Sequence, residues 1–267
     1  MPEPPELKSF DRVAHVYDQT RGMPPDAERA VADGIAAILH EVAPRPRLLE
    51  VGIGTGRIAV PLAERGVRVA GVDISRAMLA VLRGKRTDID LAFAEAAHLP
   101  FCDASFDAAL FVHILHLVPD ADATVRATLL LVRPGGLVIL GGDDREESVR
   151  ARANAIIQQI TQEIAGIEMG GWKPYESTQQ RALEILAEAG AVIERRTLAR
   201  WLSSTTAKRM TERLAARDFS SSWRIPDDRL DAIVAEARIR LAALFGDFER
   251  PVEFERSFSI AAARLPA

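Results

Sequence analysis

The chain has 267 residues, of which 48% are apolar, 27% charged and 6% aromatic. That balance excludes a disordered or fibrous polymer and allows one large domain or two small ones. The formal net charge of −4 argues against a surface built to hold nucleic acid by its phosphates, which calls for a basic excess. Arg far outnumbers Lys, but the Arg are scattered among acids, the pattern of a compositional bias rather than of phosphate forks. Cys102 is the sole cysteine, so no intrachain disulfide forms and the expected compartment is the reducing cytoplasm. Residues 1–10 are rich in Pro and Glu and lack the apolar core of a signal peptide. No segment reaches the ~18–20 apolar residues of a membrane span.

In chain order, residues 9–22 carry aromatic and charged side chains without a long period. Pro24, Pro25 and Asp26 are a helix start signal, and Val31, Ile35, Ile38, Leu39 and Val42 follow at helical spacing. From Arg47 onward short apolar runs alternate with amphipathic stretches. Leu48, Leu49 and Val51 read as a first strand, Gly52 to Gly56 as a glycine loop, and Ile58, Leu62 and Ala63 as a helix ending at Gly66. Val67 to Val72 reads as a second strand closed by Asp73, and Ser75 caps a helix through Met78, Leu79 and Leu82. Leu91 to Ala94 and Phe106 to Val112 are the third and fourth strands. A helix follows over Ala121 to Val132. Pro134-Gly135-Gly136 is expected to turn the chain into a fifth strand, Leu137 to Leu140.

Beyond residue 142 the pattern becomes helical. Glu146 to Ala165 reads as a long charged helix and Gly166 to Tyr175 as a Gly-rich stretch. Ser177 is expected to cap a helix running to Gly190, and Ala191 to Leu198 to form a strand. Ser203 to Ala216 and Asp227 to Phe245 are two further helices. Val252, Phe254, Phe258 and Ile260 alternate as in a half-buried strand. Continuous apolar strands separated by helices imply a parallel sheet covered on both faces, an α/β doubly wound, Rossmann-like fold. No internal linker stands out, so the expectation is one domain over 1–267. Its parts are an N-terminal lid or helix (9–42), a core (47–142), a helical segment (143–190) and a helical cap (203–250) inserted before the last strand.

The chemistry is concentrated in Leu49-Glu50-Val51-Gly52-Ile53-Gly54-Thr55-Gly56-Arg57. Glycine permits backbone angles that a Cβ forbids and lets a ligand approach the main chain, while the following helix presents unpaired N–H groups. The dinucleotide fingerprint is G-x-G-x-x-G, whose third glycine falls where Arg57 stands. Taken alone, this loop is also compatible with a tightly packed turn. Asp73, at the end of the second strand, is suited to the hydroxyls of a ribose or to capping a helix. Leu99-Pro100-Phe101, Asp103-Ala104-Ser105-Phe106-Asp107 and Pro134-Gly135-Gly136 follow in order.

Together these motifs resemble the class I S-adenosylmethionine-dependent methyltransferases, over roughly residues 48–140. Ile53 and Glu95 are small departures from the family pattern. The resemblance implies a mostly parallel sheet of seven strands with the last antiparallel. It implies that Glu50 receives the cofactor ammonium, that Gly52, Gly54 and Gly56 wrap its amino-acid and ribose portion, and that Asp73 holds the ribose. Ile74 would pack on the adenine, Glu95 and Ala96 would face its edge, and Phe111, Val112 and His113 would lie near the methyl group. Residues 10–22 look like the lid of small-molecule methyltransferases, so Tyr17 would close the site and Arg21 would pair with the cofactor carboxylate.

The implied reaction is methyl transfer from S-adenosylmethionine to a small molecule by in-line displacement, leaving S-adenosylhomocysteine. His113 is the candidate general base, at the carboxyl edge of the sheet where open α/β folds bind ligands. His116, His15, His40 and His98 have weaker claims, and no metal-ligand cluster is visible. Trp172, Tyr175, Trp201 and Trp223 are the candidate acceptor residues, with core packing as the alternative reading. Other readings are a tRNA or protein acceptor, a nicotinamide-dependent oxidoreductase and a noncatalytic binding module. No nucleic acid or membrane partner is expected.

Overall fold

The computed structural model describes residues 9–143, 149–167, 175–218 and 220–267. Five parallel strands form the centre: β1 (Arg47–Val51), β2 (Arg68–Asp73), β3 (Asp90–Phe93), β4 (Phe106–Val112) and β5 (Val132–Asp143). With β6 (Val192–Thr205) and the antiparallel β7 (Val252–Arg264) they make a seven-stranded sheet of order β3-β2-β1-β4-β5-β7-β6. The order reverses at β1, which lies between β2 and β4, and open α/β sheets bind ligands at the carboxyl ends of strands at such a switch point. Leu48, Leu49 and Val51 are fully enclosed, as are Ala108 to Leu110, so these central strands are apolar on both faces.

The helices around this sheet follow from their apolar spacing. The N-terminal part begins with a 3-10 turn (Asp11–Val16) and α1 (Tyr17–Arg21), then α2 (Pro25–Val42) buries Val31, Ile35, Ile38 and Leu39 on one face. Next come α3 (Ala59–Ala63), α4 (Arg76–Lys85) and α5 (Ala121–Leu131). Ser75 caps α4 by accepting from the Met78 N–H, and Asp120 caps α5 by accepting from the Ala123 N–H, each worth about 1 kcal/mol. The remaining helices are α6 (Val149–Ala165), α7 (Tyr175–Glu188), α8 (Ala207–Ala215) and α9 (Asp227–Phe245).

The chain divides into two compact units. The first comprises Met1–Gly142, Lys173–Ala199 and Phe258–Ala267, the second Asp143–Trp172 and Arg200–Ser257. One face of the first unit's sheet packs against α5 and α7 in a core that includes Phe106, Phe111, Val125 and Leu186. The second has its own core, in which Ile160 of α6, Met210 of α8 and Ile233 and Leu241 of α9 meet.

Four sequence expectations are corrected. Pro134-Gly135-Gly136 does not precede β5 but lies inside it, where the pairing with β4 slips in register and Gly135 takes φ +72°. The helix expected from Ser203 starts at Ala207, because β6 continues to Thr205 and the Thr206 hydroxyl caps α8 by accepting from the Arg209 N–H. Helix α7 starts at Tyr175 rather than after Ser177. Alternation in β7 fades after Arg256, since the strand lies between β5 and β6 and Phe258 to Ala263 are buried apart from Ser259.

Candidate functional site

The loop after β1 is held open by backbone geometry. Gly52, Gly54 and Gly56 have φ of +74°, +57° and +78°, where a Cβ is strained. The Gly52 and Ile53 N–H groups both donate to the Val72 carbonyl, at 2.9 and 3.0 Å, folding the loop onto the end of β2. A Cβ on Gly52 would stand 2.6 Å from Ile114 Cγ1, whereas at Gly54 it would meet only the Gly52 carbonyl oxygen, 4.0 Å away. The loop is therefore closed toward Ile114 and open at Gly54, where a ligand can approach the main chain.

Two carboxyls stand beside the loop. Glu50, in β1, is 3% exposed, and its Oε2 is buried without a hydrogen-bond partner. Burial pushes its pKa up to about 8, against the pull of Arg57 and with a smaller push from Asp73. Asp73, the last residue of β2, accepts from the Gly54 N–H at 2.9 Å and from the Ser75 N–H at 2.8 Å. Burial raises its pKa and the Asp11 charge adds to this, while the N–H groups of Ser75, Gly54 and Ile74 oppose it. An uncompensated buried carboxyl oxygen beside an open glycine face suits a cationic group, and Asp73 keeps lone pairs for hydroxyl donors. These features fit the ammonium and ribose of S-adenosylmethionine.

On the other flank, Ile74 is half-buried and Ala96 packs against the core. Glu95 is exposed and faces its own neighbour His98, whose Nδ1 lies 3.6 Å from Glu95 Oε2. At the end of β4, Phe111 is enclosed in the core, so its ring does not face a cleft, while Val112 and His113 are half-buried. His113 has φ +54°, a conformation costly for a side chain with a Cβ and found mostly where the surroundings demand it. Its ring lies 5.5 Å from that of Tyr175, and the His116 ring lies 5.3 Å from Tyr175 edge-on. The Tyr175 hydroxyl donates to the Gly141 carbonyl at 3.3 Å and accepts from the Gln179 amide at 2.8 Å.

Sequence reasoning missed several supports of this arrangement. Gly142 has no special φ, but a Cβ there would strike the Tyr175 hydroxyl; Gly71 in β2 likewise leaves room for Ile53. Gln179 gave no motif, and its part follows only from standing one helical turn after Tyr175. Among the N-terminal candidates, the Tyr17 ring packs edge-on against Phe10 at 6.1 Å. Arg21 ends α1, and its side chain lies outside the described residues, as does all of Trp172. Trp201 and Trp223 belong to the second unit. The Arg256 guanidinium lies 4.9 Å from the Trp201 ring, and Trp223 Nε1 donates to the Arg217 carbonyl at 2.8 Å. His113 and Tyr175 belong to the first unit. Among the described residues no helix is long and apolar enough to cross a membrane.

A parallel sheet that reverses at β1, with a glycine loop facing an acid at the end of β2, defines a Rossmann-like fold. Residues 49–140 match the family described as methyltransferase domain. A demethylmenaquinone methyltransferase of Renibacterium salmoninarum is 35% identical over 136 residues, covering 49% of this chain and 55% of that protein. The 27-O-demethylrifamycin SV methyltransferase of Amycolatopsis mediterranei is 32% identical over 162 residues, 52% of this chain and 59% of that protein. The chain thus spans a little over half the length of these curated relatives. The YcgJ protein of Bacillus subtilis shares the fold, with a TM-score of 0.56 at 17% identity over 88% of this chain and 98% of that one. Over residues 49–140 the chain is thus similar to methyltransferase domains.

Proposed function

We propose that the chain is a methyltransferase that uses S-adenosylmethionine to methylate a small molecule by in-line displacement. The observation that carries this reading is Glu50, a buried carboxyl with an unpartnered oxygen beside a glycine loop that is open at Gly54. Its ionisation is suppressed by burial, and a neighbouring ammonium would offset that burial. The sulfonium of S-adenosylmethionine supplies an electrophilic methyl group, so the protein has to bind, align and exclude water.

In this reading Glu50 takes the ammonium, Asp73 the ribose hydroxyls, and Gly52, Gly54 and Gly56 the close approach of the main chain. Ile74 and the Ala96 backbone serve the adenine, with Glu95 turning from His98 to accept from the amine. Tyr17 and Arg21 cover the amino-acid end. His113 accepts a proton from an acceptor hydroxyl or ammonium, with Val112 beside it and Phe111 as the buried support of the strand end. Tyr175, beside His113, is assigned to the acceptor. Small acceptors accord with the relatives, whose names specify demethylmenaquinone and demethylrifamycin. The reducing cytoplasm is the expected compartment, in keeping with the exposed thiol of Cys102.

Parallel calorimetric titrations with S-adenosylhomocysteine and NAD test the cofactor. Binding of the first and not the second is expected, and folded protein that binds only NAD overturns the reading. His113→Asn tests the base, because Asn tolerates the left-handed backbone. Turnover of labelled S-adenosylmethionine with its acceptor should fall about 100-fold while homocysteine-product affinity stays within about twofold. Undiminished turnover would remove His113 from the mechanism.

A further inference from the structure

The N-terminal segment is fastened through two aspartates seven residues apart, Asp11 to the start of α4 and Asp18 to the glycine loop and the end of α4. Asp11 accepts from the Ser75 hydroxyl at 2.6 Å and from the Ala77 N–H at 3.0 Å, at the start of α4. These bonds, the Ser75 one first, hold its carboxyl below the usual range. Asp18 reaches the far end of the same helix. Its Oδ1 accepts from the Thr55 hydroxyl at 2.5 Å and its Oδ2 from the Lys85 ammonium at 2.6 Å. Lys85, the last residue of α4, also donates to the Thr55 carbonyl at 2.8 Å. The hydroxyl and the carbonyl of Thr55 are therefore both held, and Thr55 itself is 1% exposed between Gly54 and Gly56.

An exposed ion pair is worth little by itself, and the Asp18 and Lys85 side chains are 42% and 35% exposed. What matters is the segment that the pair immobilises. Glycines at alternate positions give the loop large conformational freedom, and fixing the residue between two of them removes much of it before a ligand arrives. Loss of Asp18 frees the Thr55 hydroxyl and leaves Lys85 without its carboxylate, and loss of Lys85 frees the Thr55 carbonyl and leaves Asp18 without its ammonium.

We propose that Asp18 and Lys85 are positioning residues of the cofactor site: through Thr55 they hold the glycine loop in its binding shape and tie residues 9–22 to it, so that the cofactor is released when this latch opens. The inference rests on the reading of the loop as the S-adenosylmethionine loop.

Stopped-flow dissociation of S-adenosylhomocysteine tests it in the full chain. Asp18→Asn and Lys85→Met should each raise the dissociation rate about tenfold, and the double variant should be no faster than the faster single, because one latch is broken in all three. Lys85→Arg should restore most of the wild-type rate. Asp88→Asn, which removes a pair made with Arg86 away from the loop, should match wild type. The melting temperature should stay within about 2 °C of wild type throughout, which separates loop positioning from a general loss of structure. Rates within about twofold of wild type in both singles, or effects that add in the double, overturn the proposal. Wild-type protein that does not bind S-adenosylhomocysteine overturns the cofactor reading instead. Should Lys85→Met fail to fold, wild type gives the same test: its dissociation rate rises between about 0.05 and 0.5 M salt if the latch holds, and is flat if it does not.

Discussion

The two units secure their structure in different ways. Around the glycine loop of the first, three of the five residues from Gly52 to Gly56 have positive φ, and each main-chain bend places an N–H or a carbonyl for use. In the second, the positive-φ glycines Gly166 and Gly246 follow the ends of α6 and α9, and the structure rests on apolar helix faces meeting in one core. A site made of backbone admits few substitutions and carries a short, recognisable sequence. A core made of helix faces needs only the right spacing and volume. The family match accordingly ends at residue 140, before the second unit begins.

That contrast can be broken by experiment. The largest expected effect is at Glu50, whose carboxyl titrates near 4.5 when unfolded and near 8 in the fold. The fold favours the protonated form, so its stabilisation is full below pH 4.5 and is lost as pH rises toward 8, by about 5 kcal/mol in all. Glu50→Gln removes this loss. The variant should equal wild type in stability at acid pH and exceed it at pH 8, while S-adenosylhomocysteine affinity falls about 100-fold. Denaturant melts across pH, paired with calorimetry, read both; equal pH dependence in the two proteins would contradict the buried ionisation. Next is Leu241→Ala in α9, fully enclosed in the second core, which should cost about 2–5 kcal/mol. Cofactor affinity should stay within about twofold, and a parallel loss would show that the two units are not separable in this respect. The smallest effect is expected from Trp223→Phe, which removes the bond to the Arg217 carbonyl and should cost about 1 kcal/mol in the same melts.

Much of the first unit was legible because its signals are local. The apolar runs of β1, β2 and β4, the Ser75 cap and the alternate glycines each report a nearby backbone conformation. The misplacements have physical causes of the same kind. Pro134-Gly135-Gly136 carries turn chemistry, yet a bulge uses that chemistry without ending the strand. The helical pattern was expected to begin at Ser203, but pairing in the sheet carries β6 past it to Thr205.

The sequence by itself determined the order of elements, the parallel sheet and the residues that bend the glycine loop, because periodicity and glycine chemistry act within a few positions of each other. Tertiary structure decided the contacts between distant positions. The need for a bare Gly142 depends on where α7 brings Tyr175, 33 residues later in the chain. The grip on Thr55 depends on Asp18 and Lys85, 37 residues before it and 30 after it. Such groups carry no local pattern, since only packing the strands and helices together makes neighbours of them.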